Sequence, residues 1–260
     1  GNPSASVAVT IKARGSSPDD TSYTSTPASL DDVTIEDVVI EDSFNGLRIG
    51  EFGKDYSGGG GPTDVTITDS TFQNNSGYHV EDVTGNLSLN DILNNQANDF
   101  DRVVTIEDDA RNITGNSIFA GIQSAVDSTS SGDTVSVSDG TYNESVDIGT
   151  ENVTLVGPNA GTPGDASRSE EATITQGVEI SADGVTVDGL EVTSDDVNGI
   201  VVTGAPSDVT VTNTVIRDIA GGTAGASKGV GNGINLQFND AFEQTSTGIE
   251  ITDNLITNVT

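Results

Sequence analysis

The sequence predicts an all-β protein folded as a right-handed parallel β-helix, a solenoid with three strands per coil. Three observations support this prediction: a recurring apolar-polar-apolar triplet, a turn residue two positions after each triplet, and a glycine-led strand between successive copies. Repeats of this kind indicate a fold in which each unit buries its apolar face only against its neighbours.

Alternation at period two makes each triplet a short strand with one buried face. The Asp, Asn or Gly that follows tolerates a left-handed backbone, so the chain is expected to turn there. The clearest triplets start at Val33, Val65, Leu87, Val185, Val209 and Ile249, weaker copies start at Val104 and Val153, and the turn residues are Asp37, Asp69, Asp91, Gly189, Asn213 and Asp253.

A second strand follows each turn directly, as in Val38-Val39-Ile40, and a third strand begins at a glycine. Together these segments make three strands per coil. A β-sandwich is the rival fold, but it favours hairpin turns at regular 8–12 residue spacing over near-identical triplets. The glycine-led strands start at Gly46, Gly77, Gly177, Gly199 and Gly233.

A helix is predicted from Ser117 to Ser128, because Ile118, Phe119, Ile122, Ala125 and Val126 fall on one helical face. Asn116 or Ser117 would cap its start and Gly132 would end it.

The residues after this helix read Ser131-Gly132-Asp133-Thr134-Val135, then Asp139-Gly140-Thr141-Tyr142-Asn143-Glu144, then Val153-Thr154-Leu155-Val156-Gly157-Pro158. This stretch resembles the start of solenoids in the pectin-lyase-like β-helix superfamily. The resemblance implies a β-helix opened by a capping helix. It leaves activity open, because the superfamily includes polysaccharide lyases, glycosidases, epimerases, tailspikes, adhesins and archaeal surface proteins.

A solenoid start in mid-chain predicts two domains. Residues 1–115 are interpreted as the last coils of a first β-helix, and residues 116–260 as a second β-helix opened by the capping helix at about 117–128. The open ends predict either a fragment of a larger protein, which we favour, or coil ends that stack on another copy.

The composition indicates a saline environment. The chain has 260 residues, with 41 acidic and 9 basic side chains, and a formal charge of −32. Such a surface needs screening by salt, which is typical of halophilic archaeal proteins, although an acidic cation-binding matrix protein is an alternative. Scarce basic residues argue against nucleic-acid binding, no apolar run reaches a membrane-spanning length, and the lack of Cys excludes disulfides.

Two pairs of residues are weak catalytic candidates. Arg48 and His79 are the middle residues of two glycine-led strands, so they are expected to point outward on adjacent rungs, where they would supply an anion clamp and a base. Asp195 and Asp196 resemble the paired aspartates of polygalacturonase-like glycosidases. For both pairs, solvated surface residues are the favoured interpretation, and we assign no catalytic residue from the sequence.

Two further kinds of site are open from the sequence. No metal site is assigned, although the turn carboxylates Asp37, Asp69, Asp91 and Asp253 leave structural calcium as an alternative to a purely conformational role. No cofactor is required by any motif. The candidate glycosylation sites are Asn74, Asn86, Asn112, Asn143, Asn152 and Asn258, each in an Asn-x-Ser/Thr sequon.

The sequence therefore predicts a non-enzymatic, extracellular structural or adhesive β-helix protein of a halophilic archaeon. Its expected partners are other copies or surface components that meet the open solenoid ends, including in a filament, with glycans as further partners. The alternatives are a polysaccharide lyase or glycoside hydrolase on the same scaffold, and a viral tailspike or fibre.

Overall fold

A computed structural model describes residues 6–13, 28–51, 54, 56, 60–107, 117–195, 198–221, 231–237 and 245–260. The chain forms two compact units. Unit 1 comprises Gly1–Thr105 and Asp109–Gly121, and unit 2 comprises Ile106–Asp108 and Ile122–Thr260. The described residues are dominated by parallel β-strands, which is consistent with a β-solenoid. Neither helix among them has the length and apolarity needed to cross a membrane.

Unit 1 is built from short parallel ladders. In these ladders β5 joins β1 to β9, β8 joins β4 to β10, β2 pairs with β6, and β3 pairs with β7. The strands are β1 (Val7–Ile11), β2 (Ser29–Leu30), β3 (Val33–Glu36), β4 (Val39–Glu41), β5 (Asn45–Ile49), β6 (Gly61–Pro62), β7 (Val65–Thr68), β8 (Thr71–Gln73), β9 (Tyr78–Asp82), β10 (Asp99–Phe100), β11 (Val104–Glu107, which begins in unit 1) and β12 (Ser117–Phe119).

Apolar residues of unit 1 stack in register between successive repeats. The triplets predicted as strands at Val33 and Val65 form β3 and β7, and Ile35 lies directly on Ile67. The same ladder geometry puts Leu47 on Val80, and both side chains are fully buried. The period-two pattern therefore predicted these inward residues correctly, because a strand that packs on one face must alternate.

The third triplet of unit 1 does not form a strand. Leu89–Asn94 is a helix, α1, and Asp91 lies in its first turn instead of at a strand-ending turn. The Ser88 hydroxyl accepts a hydrogen bond from the Asp91 backbone N–H at 3.3 Å, and Leu89 and Ile92 face the core. Ser88 and Asp91 have the spacing of a capping box, which was the sequence signal for this helix.

Unit 2 contains three longer parallel ladders among its described residues: β13-β16-β19-β22-β25, β14-β17-β20-β23-β26 and β15-β18-β21-β24. Its elements are α2 (Ile122–Val126), β13 (Thr134–Val137), β14 (Gly140–Tyr142), β15 (Val146–Ile148), β16 (Thr154–Val156), β17 (Ala172–Ile174), β18 (Val178–Ile180), β19 (Thr186–Asp188), β20 (Glu191–Ser194), β21 (Asn198–Thr203), β22 (Thr210–Thr212), β23 (Val215–Ile219), β24 (Asn232–Gln237), β25 (Glu250–Thr252) and β26 (Leu255–Val259).

Every ladder of unit 2 includes a column of apolar side chains in register whose members before the last are at most 1% exposed. Burial of each such side chain contributes roughly 1.5–3 kcal/mol, so these columns are the core of the unit. The columns are Val135, Leu155, Val187, Val211 and Ile251; Tyr142, Ile174, Val192, Ile216 and Ile256; and Ile148, Ile180, Val202 and Leu236.

The predicted turn residues adopt left-handed backbone. Asp37, Asp69, Asn213 and Asp253 have φ between 49° and 56°. Gly189 has φ 75°, and a Cβ at this position would overlap the backbone nitrogen of Ala160. The requirement shared by these positions is therefore backbone conformation, which Asp, Asn and Gly tolerate best.

The helix predicted at 117–128 is wrong in its first half. Ser117–Phe119 forms β12, which runs antiparallel to β9, and α2 begins only at Ile122. Ser117 belongs to β12, so it does not cap α2, and Asn116 falls outside the described residues. The Glu144 carboxylate instead accepts hydrogen bonds from the backbone N–H groups of Ile122 and Gln123, at 2.7 and 3.0 Å. The helical pattern of apolar residues continued through β12 because Ile118 and Phe119 of β12 are buried, as are Ile122, Ala125 and Val126 of α2.

The two compact units are a property of the structure, whereas their interpretation as two tandem solenoids stays a prediction.

Candidate functional site

Arg48 is part of a largely buried ion pair on the paired strands β5 and β9. The parallel register aligns Arg48 with Glu81, and Arg48 Nε lies 2.5 Å from Glu81 Oε2. The Arg48 guanidinium also lies 5.5 Å from the centre of the Tyr78 ring. Burial, with a further contribution from Glu81, raises the pKa of Tyr78 well above its ordinary value. The guanidinium charge is therefore already neutralised within the fold.

His79 is buried, so the prediction that it points outward beside Arg48 is wrong. Its side chain has no exposed surface, and its ring packs edge-on to Phe72 and Phe100, with centroids 6.2 and 5.7 Å away. The ring Nδ1 lies 3.1 Å from Asn75 Nδ2. On the other side of the ring, Nε2 lies 3.1 Å from Asp101 Oδ1, without hydrogen-bond alignment.

Arg48 does not meet His79 because Arg48 is aligned with Glu81, two residues beyond His79. A shift of two residues leaves each side chain on its own face of the strand, so the burial of His79 comes instead from its contacts with the two phenylalanine rings. Aligning the two glycine-led strands by their glycines would put Arg48 beside His79, but the observed ladder aligns Arg48 with Glu81. Gly46 instead lies against the His79 backbone, where a Cβ would be 2.5 Å from the carbonyl oxygen. The row that the sequence assigned to an anion clamp and a base is thus a row of Arg48 and Glu81.

Burial also sets the protonation of His79. Removal from water lowers its pKa from 6.5 to about 4, against the opposing attraction of the Asp101 carboxylate. The imidazole is therefore neutral at pH 7, and its role in the described structure is packing within an aromatic cluster. No exposed face is available for it to act on a substrate.

Asp195 lies on a polar surface of unit 2, whereas Asp196 falls outside the described residues. Asp195 lines a depression of about 750 Å³ at the turns between the second and third ladders. A second depression, of about 410 Å³, adjoins it and shares Ser145 and Gln176. We call the two together the polar groove, and its lining residues are Asn143, Ser145, Thr175, Gln176, Gly177, Val178, Glu179, Ser194, Asp195, Asn198, Val201, Thr203 and Gln237.

The polar groove carries negative charge. Among its described lining residues, Glu179 and Asp195 are the ionisable ones. Asp147 is aligned with Glu179 on the neighbouring strand, and burial, followed by repulsion from Glu179 and Asp127, raises the pKa of Asp147. The arrangement provides hydrogen-bonding groups and a negative field, but no positive side chain among the described lining residues to receive an anion.

The insertion at 157–171 is held firmly against unit 2. Arg168 binds both carboxylate oxygens of Glu171, at 2.6 and 3.0 Å. Its Nη1 also donates to the Thr162 and Asn213 carbonyls, each at 2.7 Å. This insertion is therefore braced by the hydrogen bonds of one arginine side chain. The insertions at 220–232 and 238–248 lie largely outside the described residues.

The final strands of unit 2 expose the ends of all three apolar columns. Ile251, Ile256 and Leu236 are 42%, 46% and 42% exposed, although the residue aligned with each on the preceding strand is at most 1% exposed. We call these three residues the terminal apolar face. Pairing edges of β24, β25 and β26 lie on the same side of their ladders.

The sequons lie on the surface wherever they are described. Asn74, Asn86, Asn143, Asn152 and Asn258 are exposed, and Asn112 falls outside the described residues. The side-chain nitrogens of three of them donate to neighbours: Asn86 to the Pro62 carbonyl, Asn152 to Ser131 and Asn258 to Asp218. Glycosylation stays a prediction at all six.

The four candidate calcium carboxylates occupy turns or a helix. Asp37, Asp69 and Asp253 have left-handed turn backbone, and Asp91 lies in the first turn of α1. Across the described ranges, no group of three or more His, Asp or Glu side chains has a metal-binding arrangement.

Comparison with known proteins provides no family for this chain. No protein-family model, curated protein or solved structure matches it significantly.

Proposed function

We propose that this chain is a non-enzymatic structural or adhesive protein, a right-handed parallel β-helix with three strands per coil. Its proposed setting is the extracellular surface of a halophilic archaeon, where solenoids join end to end. The observation that carries the proposal is the terminal apolar face, at which three otherwise buried columns end at exposed side chains.

The geometry of this face favours a further β-coil as its partner. A coil in the same register would put one apolar side chain on each of Ile251, Ile256 and Leu236, repeating the contacts inside unit 2. It would also pair the edge N–H and C=O groups of β24, β25 and β26, which exposed edge strands otherwise leave available. We propose that a coil of the same kind supplies these contacts, and that in an assembly of several copies it belongs to another copy.

The charge of the chain makes such an assembly dependent on salt. Two copies that each carry a formal charge of −32 repel one another in dilute buffer. At 1 M ionic strength the screening length falls to about 3 Å, so short-range apolar contacts decide the association. This dependence is the physical link between the composition and the proposed saline habitat.

The test is the mass of the purified chain by light scattering in molar and in dilute potassium chloride. We expect oligomers in molar salt, and we expect Ile256→Lys to shift them toward monomer because it places a charge on the terminal apolar face. Thr257→Lys is the matched control, since the next residue of a strand points to the opposite face. A monomer at all salt and protein concentrations would contradict end-to-end joining, as would equal effects of the two variants.

A polysaccharide lyase or glycoside hydrolase is the second candidate, and the position of Asp195 in the polar groove favours it. Carboxylates in a groove can donate or accept the proton that glycosidic cleavage requires. The assay is release of reducing ends or unsaturated products from a panel of polysaccharides in molar salt. Loss of product in Asp195→Asn, with product retained in the exposed-loop control Asp165→Asn, would favour the enzyme over the structural proposal.

A further inference from the structure

We propose that the polar groove of unit 2 binds an uncharged polysaccharide chain. This inference goes beyond the proposed end-to-end assembly and does not depend on it, because the groove is lined by other residues than Ile251 and Ile256. It specifies a ligand class for an adhesive surface.

The extent of the groove matches a polymer better than a single small molecule. Its lining begins at Asn143 and Ser145 beside β14 and β15, and reaches Gln237 on β24. Three strand intervals separate β15 from β24 in their ladder, and at the usual spacing between strands this is about 14 Å. The two adjoining depressions therefore form one elongated polar surface across four strands.

The side chains that line the groove carry amide and carboxylate groups, which can form hydrogen bonds with sugar hydroxyls. Asn198 Oδ1 accepts hydrogen bonds from Asn232 and Asn235, which leaves its Nδ2 without a partner among the described residues. Glu179 accepts one hydrogen bond, from Thr203 through Oε1, and its Oε2 has no described partner. Amides donate and accept while carboxylates accept, so the set complements the alternating donor and acceptor character of sugar hydroxyls.

The electrostatics of the groove select against acidic sugars. Glu179, Asp195 and the neighbouring Asp147 would repel a uronate carboxylate, and no Lys, Arg or His is among the described lining residues to neutralise it. An uncharged chain avoids this repulsion and still receives the hydrogen bonds. A cationic amino-glycan would be attracted by charge alone, and molar salt would screen that attraction.

The lining also sets the expected strength of binding. No aromatic ring lines the described groove, so contact depends on hydrogen bonds, each with a net value of about 0.5–1.5 kcal/mol. Removal of one residue that makes two such bonds should weaken binding by roughly tenfold. Gln176 is the best residue to remove because it lines both depressions and is exposed.

The experiment is binding of the labelled full chain to an array of immobilised glycans in molar potassium chloride. The array carries neutral glucans, mannans and xylans, together with polyuronates and chitosan. We expect retention on at least one neutral glycan and none on polyuronates. Titration calorimetry with the retained glycan as an oligosaccharide should then show about tenfold weaker binding by Gln176→Ala, and unchanged binding by the control Gln73→Ala in unit 1.

Three results would overturn the inference: a preference for polyuronates or chitosan, no retention on any glycan, or equal binding by the wild-type chain and Gln176→Ala. Glu179→Gln adds a test of charge, since it should keep neutral-glycan binding within about twofold and reduce the exclusion of polyuronates. Ile256→Lys separates the two proposals, because it should abolish assembly and leave glycan binding intact. If the chain assembles but is retained on no glycan, the proposal for the polar groove is refuted and the proposal of end-to-end assembly stands.

Discussion

Burial of His79, the single histidine of the chain, should make this protein less stable in acid. The imidazole is fully buried and lies edge-on to two stacked phenylalanine rings, and its pKa is lowered to about 4. The unfolded chain should bind a proton near the ordinary value of 6.5. Between these two pH values the unfolded state therefore holds more protons than the folded state, and stability must fall as the pH falls.

The size of the effect follows from the two pKa values. The interval between 6.5 and about 4 corresponds to roughly 3 kcal/mol. At pH 7 the histidine is largely neutral in both states, so the loss is small there. It grows as the pH drops below 6.5 and is complete near pH 4, where the folded state also begins to bind the proton.

The assay is urea unfolding in molar salt, followed by far-ultraviolet circular dichroism from pH 7 to pH 4, for the wild-type chain and His79→Gln. Acidic residues that do not contact His79 titrate alike in both proteins, so their contribution cancels in the difference. We expect the wild-type chain to lose about 3 kcal/mol more than the variant over this range. A difference between the two proteins that stays constant with pH would refute the buried, neutral histidine.

Three further predictions rest on other contacts. Gly189→Ala should destabilise unit 2 by at least about 2 kcal/mol, because the added Cβ would overlap neighbouring backbone. Gly161→Ala should cost only about 1 kcal/mol, because Gly161 has a similar φ of 72° but open space around it. Equal shifts of the unfolding temperature in the two variants would contradict the steric argument. Glu144→Ala should lower the free energy of unfolding by about 1 kcal/mol through loss of the α2 cap, with the exposed Glu151→Ala near zero in the same urea titration. Arg48→Met should lower the free energy of unfolding by on the order of 3 kcal/mol, because it leaves the Glu81 carboxylate unpaired in a largely buried site. In a double-mutant cycle, the double variant that also removes the Glu81 carboxylate should recover part of this loss.

Local patterns predicted much of the fold because their physical cause is local. Alternation specifies which residues of a strand face inward, so the triplets at Val33 and Val185 correctly indicated strands with buried apolar positions. Left-handed turns were also predictable, as Asp37 and Asn213 confirm, since few residue types tolerate that backbone. The Ser88 capping signal was equally local, but the stronger repeat pattern concealed it.

The candidate sites were less predictable because they depend on which strands meet and in which register. A displacement along one ladder gave Arg48 a carboxylate as its partner, and contacts with two aromatic residues of other strands buried His79. The polar groove likewise joins residues from four strands whose side chains carry no shared motif. No pattern within one segment contains that information.

The sequence by itself determined the alternating strands, most of the turns, the apolar column residues and the strongly negative charge, because each depends on residue type and nearest neighbours along the chain. Only the tertiary structure decided that Glu144 caps a helix from a distance, that His79 is neutral and buried, and that Ile251, Ile256 and Leu236 form one exposed face. These features arise from contacts between residues far apart in the chain, and the free energy of such contacts depends on register and burial, which composition and periodicity do not specify.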